Sequence, residues 1–157
     1  MTEMRKVFDP NNIDPEKPGI IMMSHGGFAV GCMETMRMFM GDAPNVAAFS
    51  LEEGMEPEEF TKEAFAAYEA FPEGSLILLD LPGGTPYNQT LLYARSHPDA
   101  DICAIGGFNL PMVIQALEFR EQCRGRELVE KLYNFNNNGI VNVCETLDAL
   151  RAKLAEK

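Results

Sequence analysis

Gly19-Ile20-Ile21-Met22-Met23-Ser24-His25-Gly26-Gly27-Phe28-Ala29-Val30-Gly31 decides how this chain folds. A short apolar run stops at a glycine pair, and beyond it Ala29, Cys32, Met33, Met36, Phe39 and Met40 recur at helical spacing. The stretch reads as strand, glycine turn and helix, with His25 at the turn. The same order returns downstream. Val46 to Phe49 is a short second strand, and Glu56 to Phe71 is a helix burying Phe60, Ala64, Ala67, Tyr68 and Phe71. Ser75 to Leu79 is an unbroken apolar run, as expected of a strand covered on both faces, and it ends in Asp80 before Leu81-Pro82-Gly83-Gly84-Thr85-Pro86. Thr85 and Pro86 are expected at the N-cap and first position of the next helix, because threonine can cap free amides and proline lacks one. Asp101 to Ile105 is a fourth strand, followed by Gly106-Gly107-Phe108-Asn109 and a helix starting near Leu110-Pro111.

Strands alternating with helices of this length predict an α/β fold: an open, mainly parallel, doubly wound sheet with helices on both faces and right-handed crossovers. One domain is expected over residues 19–144. Met1 to Pro18, polar and holding three prolines, reads as an N-terminal extension over or beside it, with no catalytic group. Glu127 to Phe135 looks helical, and Leu147, Leu150 and Leu154 space a helix in the tail, residues 145–157. Gly139 to Val143, after the link Asn136-Asn137-Asn138, is a candidate edge strand that pairs within its own subunit or is exchanged with a partner subunit.

With 157 residues, 46% apolar and 24% charged, the chain suits a globular domain with a real core, and disorder or a collagen-like repeat is excluded. The formal charge of −11 repels phosphate polyanions, so no nucleic-acid or anionic-membrane partner is expected. The arginines that cluster, Arg120, Arg124 and Arg126, sit at a helix end, where positive charge meets the macrodipole favourably. The four cysteines form no C-x-x-C pair and lie in apolar segments, which suits reduced core thiols and a cytoplasmic protein. Glu3, Arg5, Lys6 and Asp9 stand where a secretory signal needs apolar residues, and no run approaches the roughly 18 apolar residues of a membrane span, so no direct membrane insertion is expected.

Ligands of open parallel sheets bind beyond the carboxyl ends of the strands, and three turns meet that edge: His25 to Phe28, Asp80 to Pro86 and Gly106 to Pro111. If the first and third strands are neighbours, His25 and Asp80 leave strands about 5 Å apart. A carboxylate accepting one ring N–H fixes the tautomer of histidine and leaves the other nitrogen free as a nucleophile. Phosphoryl transfer fits these surroundings, since its transition state asks mainly for positioning and for donors to spread charge. The backbone amides of Gly83, Gly84 and Thr85 can supply those donors, each worth about 3 kcal/mol by analogy with other oxyanion contacts.

Blander explanations exist for each residue alone. A single histidine after a strand is more often structural, a Gly-Gly-Thr-Pro is usually a turn, and an aspartate can merely end a strand. Their joint placement at one edge favours a site. His97, in the polar turn Ser96-His97-Pro98-Asp99, receives no role. The methionines are core filler, and Glu52, Glu53, Glu56, Glu58 and Glu59 form a solvated loop and helix start.

At these positions the sequence resembles the enzyme IIA domain of mannose-type sugar phosphotransferase systems. Ser24-His25-Gly26-Gly27-Phe28-Ala29-Val30-Gly31 looks like that family's active-site segment, Leu79-Asp80-Leu81-Pro82-Gly83-Gly84-Thr85-Pro86-Tyr87-Asn88 its second signature, and Gly107-Phe108-Asn109-Leu110-Pro111-Met112 its third. The resemblance implies that His25 takes a phosphoryl group from the histidine-containing phosphocarrier protein and donates it to an enzyme IIB. It implies that Asp80 orients the imidazole and that Thr85 and neighbouring amides face the phosphoryl group. Phe28, Pro82, Phe108 and Asn109 are then expected to meet the partner proteins. It implies a homodimer exchanging a C-terminal strand, no cofactor and no metal, and it leaves the sugar open because the permease subunits contact it. The alternative is a regulatory module that senses phosphorylation state without onward transfer. A nucleotide-dependent kinase is disfavoured, because no G-x-x-x-x-G-K-[ST] segment is present. A thiol or metal enzyme lacks both a cysteine in a glycine turn and histidines at ligand spacing.

Overall fold

The computed structural model describes residues 3–135 and 139–157. Its sheet has five strands, β1 (Lys6–Val7), β2 (Ile20–His25), β3 (Val46–Leu51), β4 (Leu76–Leu79) and β5 (Cys103–Gly106), in the order β1-β3-β2-β4-β5. Strands β2 to β5 are parallel, and β1 joins one edge antiparallel to β3, with Lys6 opposite Phe49 and Val7 opposite Ala48. The helices are α1 (Phe28–Met40), α2 (Pro57–Ala70), α3 (Thr85–Ser96), α4 (Leu110–Phe119), α5 (Gly125–Tyr133) and α6 (Val143–Ala155). The α/β sheet predicted from the sequence is therefore present, and the strand carrying His25 lies beside the strand that ends at Asp80.

Alternation along β2 decides the layering. Ile20 and Met22 enter a core with α1, α4 and α5, through Met33, Met36, Val113, Leu117 and Leu128. Ile21 and Met23 enter the opposite core with α2, through Phe49, Phe60, Phe65 and Phe71. A period of two in the strand thus meets helical faces on both sides, and each fully buried large apolar side chain contributes about 1.5–3 kcal/mol. Both layers pack against β2 and β4, whose carboxyl ends carry the candidate site.

Three expectations change. The leader does not merely lie beside the domain, because β1 is a strand of its sheet, and Asn45 binds the stretch behind β1 through bonds to Asp14 and Lys17. Gly139 to Val143 does not form a strand in the single chain: residues 139–142 have no regular structure and Val143 opens α6, whose N-terminus is capped by Asn142 accepting from the amides of Cys144 and Glu145. A capping asparagine just there favours helix over extended chain. The asparagine link Asn136 to Asn138 lies outside the described residues. Lastly, Cys32, Cys103 and Cys123 are buried thiols as expected, but Cys144 is exposed on α6.

Candidate functional site

His25 is the last residue of β2, and its side chain keeps 44% of its surface while that of Asp80 keeps 14%. One carboxylate oxygen of Asp80 holds both parts of the histidine: Oδ2 accepts from the His25 amide at 2.9 Å and lies 3.0 Å from Nδ1. Oδ1 accepts from the Leu81 amide at 2.8 Å. An ionised carboxylate can only accept, so the ring proton belongs on Nδ1 and Nε2 keeps its lone pair. A rigid acid and a half-open ring are what an in-line attack by nitrogen requires.

Local sequence explains the shape. Ser24, fully buried, accepts the Ala29 amide on its hydroxyl at 2.7 Å and so ties the end of β2 to the start of α1. The Gly26 amide reaches Leu51 O at 2.8 Å. Across the mouth, Gly83 has a φ of 80°, a conformation that favours glycine, and places Gly84 under the ring. A Cβ on residue 84 would stand 2.7 Å from His25 Cε1 and 3.4 Å from Nε2, so only glycine leaves room for the imidazole. The third turn folds back on β4, with the Gly107 and Phe108 amides both donating to Leu79 O.

Two helix N-termini meet at this mouth. Neither α1 nor α3 has an acidic residue in its first turn, so, with the Ala29 amide of α1 taken by Ser24, the rest of their partial positive charge can receive an anion. Thr85 differs from its expected place: Gly84 is the N-cap and Thr85 the first helical residue, so its hydroxyl does not cap. The Gly84 amide is also engaged, donating to Leu81 O at 3.1 Å, which removes one of the three amides expected to face a phosphoryl group.

The four residues expected to meet partners divide. Phe28 is 48% exposed and Pro82 is exposed, but Phe108 is 3% exposed and lies under Phe28 with ring centroids 5.0 Å apart. Phe108 therefore supports Phe28 from beneath. Asn109 caps α4, accepting from the Met112 amide at 3.0 Å. Beside Phe28, a shallow groove of about 390 Å³ runs along Gly31, Cys32, Thr35 and Leu110. His97 closes α3 far from this edge and stacks on Tyr93.

Sequence reasoning missed Arg5 and Glu52. Arg5 Nε and Nη2 bind the two carboxylate oxygens of Glu52 at 2.6 and 3.1 Å, and the guanidinium lies over Gly27. The pairing holds the Glu52 carboxyl below the usual carboxylate range. No spacing in the sequence signals it, because only the antiparallel docking of β1 carries Arg5 to this edge.

The sequence model of the EIIA-man family, described as PTS system fructose IIA component, matches residues 19–133, well over half the chain. The chain belongs to the EIIA-man family. The fructose-specific EIIA component of the Bacillus subtilis (strain 168) phosphotransferase system is 26% identical over 134 residues, covering 84% of this chain and 90% of that one. The sorbose-specific EIIA component of Lacticaseibacillus casei is 28% identical over 131 residues, covering 82% and 92%. Among solved structures, an EIIA component from Streptococcus agalactiae superposes with a TM-score of 0.74 at 27% identity, covering 81% of this chain and 98% of its own. This EIIA-man protein is thus a phosphotransferase-system component of the IIA class, and among the described residues no helix is long and apolar enough to cross a membrane. Arg5 and α6 lie outside the matched span.

Proposed function

We propose that this protein is a cytoplasmic phosphohistidine carrier for sugar uptake, in which His25 accepts a phosphoryl group from the histidine-containing phosphocarrier protein and passes it to an enzyme IIB. The observation that carries the reading is the grip of Asp80 on Nδ1 and on the His25 amide, which leaves Nε2 as the nucleophile. In the step, Nε2 supplies the electron pair for the new N–P bond while the N–P bond of the donor breaks and its pair returns to the donor imidazole. Transfer to enzyme IIB runs the same exchange in reverse. The loose transition state spreads charge over the equatorial oxygens, facing the α3 N-terminus, where the amides of Gly83 and Thr85 and the Thr85 hydroxyl are the candidate donors.

Phe28, Pro82 and the groove along Gly31, Cys32 and Leu110 support docking of the partner proteins around the ring, since a rim of exposed apolar surface beside a reactive group suits transient contacts. Homodimer formation through the tail is supported by the exposed apolar side chains Val141, Val143, Leu147, Leu150 and Leu154, which lie outside both core clusters of the described residues. The test supplies labelled phosphocarrier protein and then unlabelled enzyme IIB. Label that arrives on wild type, moves on to IIB and is absent from His25→Ala supports the carrier. Label that stays on the chain in the presence of IIB selects the sensing module instead.

A further inference from the structure

The four turns at the carboxyl edge of the sheet, residues 25–28, 51–57, 80–86 and 106–111, contain no lysine or arginine, although the proposed cargo is a dianion. Arg5 supplies a cation from elsewhere. Strand β1 runs antiparallel to β3, so the residue before Lys6 reaches the same edge where β3 ends, and the Arg5 carbonyl accepts from the Ser50 amide at 3.0 Å. From there the side chain crosses the end of β3. Glu52 takes Nε and Nη2, and Nη1 is turned onto Gly27, 2.5 Å from where a Cβ at that position would be. Gly27 is the N-cap of α1, two residues from His25. A guanidinium laid on the positive end of a helix is unfavourable by itself. Glu52 offsets the repulsion, and an anion arriving between the two would turn it into attraction.

We propose that Arg5 is a phosphoryl-binding residue of the site, donating from Nη1 to the phosphoryl oxygens from the β3 side of β2, across from the strand that leads into Asp80. This rests on His25 being the acceptor. The covalent exchange is unchanged; Arg5 adds charge and a planar fork that suits a phosphoryl group, and Glu52 keeps the fork aimed while the site is empty. Because the residue lies outside the span matched by the family, the contact belongs to this chain's leader.

The test compares wild type, Arg5→Gln, Arg5→Lys and His25→Ala with phosphorylated phosphocarrier protein as donor. Since β1 pairs through the backbone of residue 5, the substitutions leave the strand intact, which thermal melting checks. Arg5→Gln is expected to lower kcat/KM for phosphoryl acceptance about tenfold, the size of one charge-assisted hydrogen bond. It should also raise the pH midpoint of the phosphohistidine 31P shift, because the dianion loses its nearby cation, and Arg5→Lys should restore the midpoint in part. Wild-type kcat/KM in Arg5→Gln overturns the role. So does a rate loss with an unmoved 31P midpoint, which would place Arg5 against the donor protein instead. Label on His25→Ala overturns the acceptor assignment itself, whereas an inert His25→Ala beside a fully active Arg5→Gln removes only the part given to Arg5.

Discussion

Gly84 and His25 are packed so closely that a methyl group on residue 84 would stand 2.7 Å from Cε1 of the ring. The backbone of Gly84 is ordinary, with a φ of −77°, so alanine meets no conformational barrier, and its Cβ presses hardest on the imidazole, with a lesser contact of 3.2 Å to Leu81 O. Gly84→Ala should keep its melting temperature within a few degrees and lose at least about tenfold in the initial rate of phosphoryl acceptance, because small displacements of an attacking atom are costly. Equal rates in variant and wild type would mean that the ring works from another position.

Asp80→Asn tests the tautomer. An amide at position 80 can turn its N–H toward Nδ1, which moves the ring proton to Nε2 and removes the nucleophilic lone pair. Labelling from the phosphocarrier protein should fall roughly 10²- to 10⁴-fold, the range for loss of an orienting carboxylate, with the fold retained by circular dichroism. A loss under threefold would leave Asp80 with a structural role only.

The sequence made the central sheet legible because β4 is a pure apolar run and β2 opens with one, Ile20-Ile21-Met22-Met23, and each run ends beside a candidate site residue, His25 or Asp80. The neighbouring placement of His25 and Asp80 followed from the winding rule for parallel sheets, which needs only the order of elements. What escaped depended on long-range partners. Lys6 and Val7 form a strand because β3 offers an edge, not because two residues carry a period. Thr85 looked like a cap by type, but Gly84 takes that place because the turn needs the closer approach to His25. Phe108 sits in a glycine turn beside the site, and its burial under Phe28 is a matter of tertiary packing that spacing does not encode.

Asn45 anchors the leader. It is buried with a φ of 59°, its Oδ1 accepts the Asp14 amide at 2.7 Å, and its Nδ2 donates to Asp14 O at 2.7 Å and Lys17 O at 2.6 Å. Asparagine tolerates this backbone and satisfies three groups at once. Asn45→Ala should cost about 3 kcal/mol in urea unfolding, which is large for one substitution and follows from groups left without partners. A cost below about 1 kcal/mol would show that the leader contributes little to the fold.

The thiols should react in two classes. Burial pushes Cys32, Cys103 and Cys123 above the usual thiol range, so at pH 8 each carries less thiolate than a free cysteine, while Cys144 is exposed. With a disulfide reagent under native conditions, one thiol per chain should react quickly and three only after denaturant is added. Three or four fast thiols would contradict the packing of the core around α1 and β5.

Because Asp80 holds Nδ1, the phosphoryl group is expected on the other ring nitrogen. Correlated 31P and 15N NMR on the protein phosphorylated by its donor reads the attachment atom directly. A single phosphorus coupled to Nε2 of His25 is the expected result. Phosphorus on Nδ1 of that ring, or on His97, would contradict it.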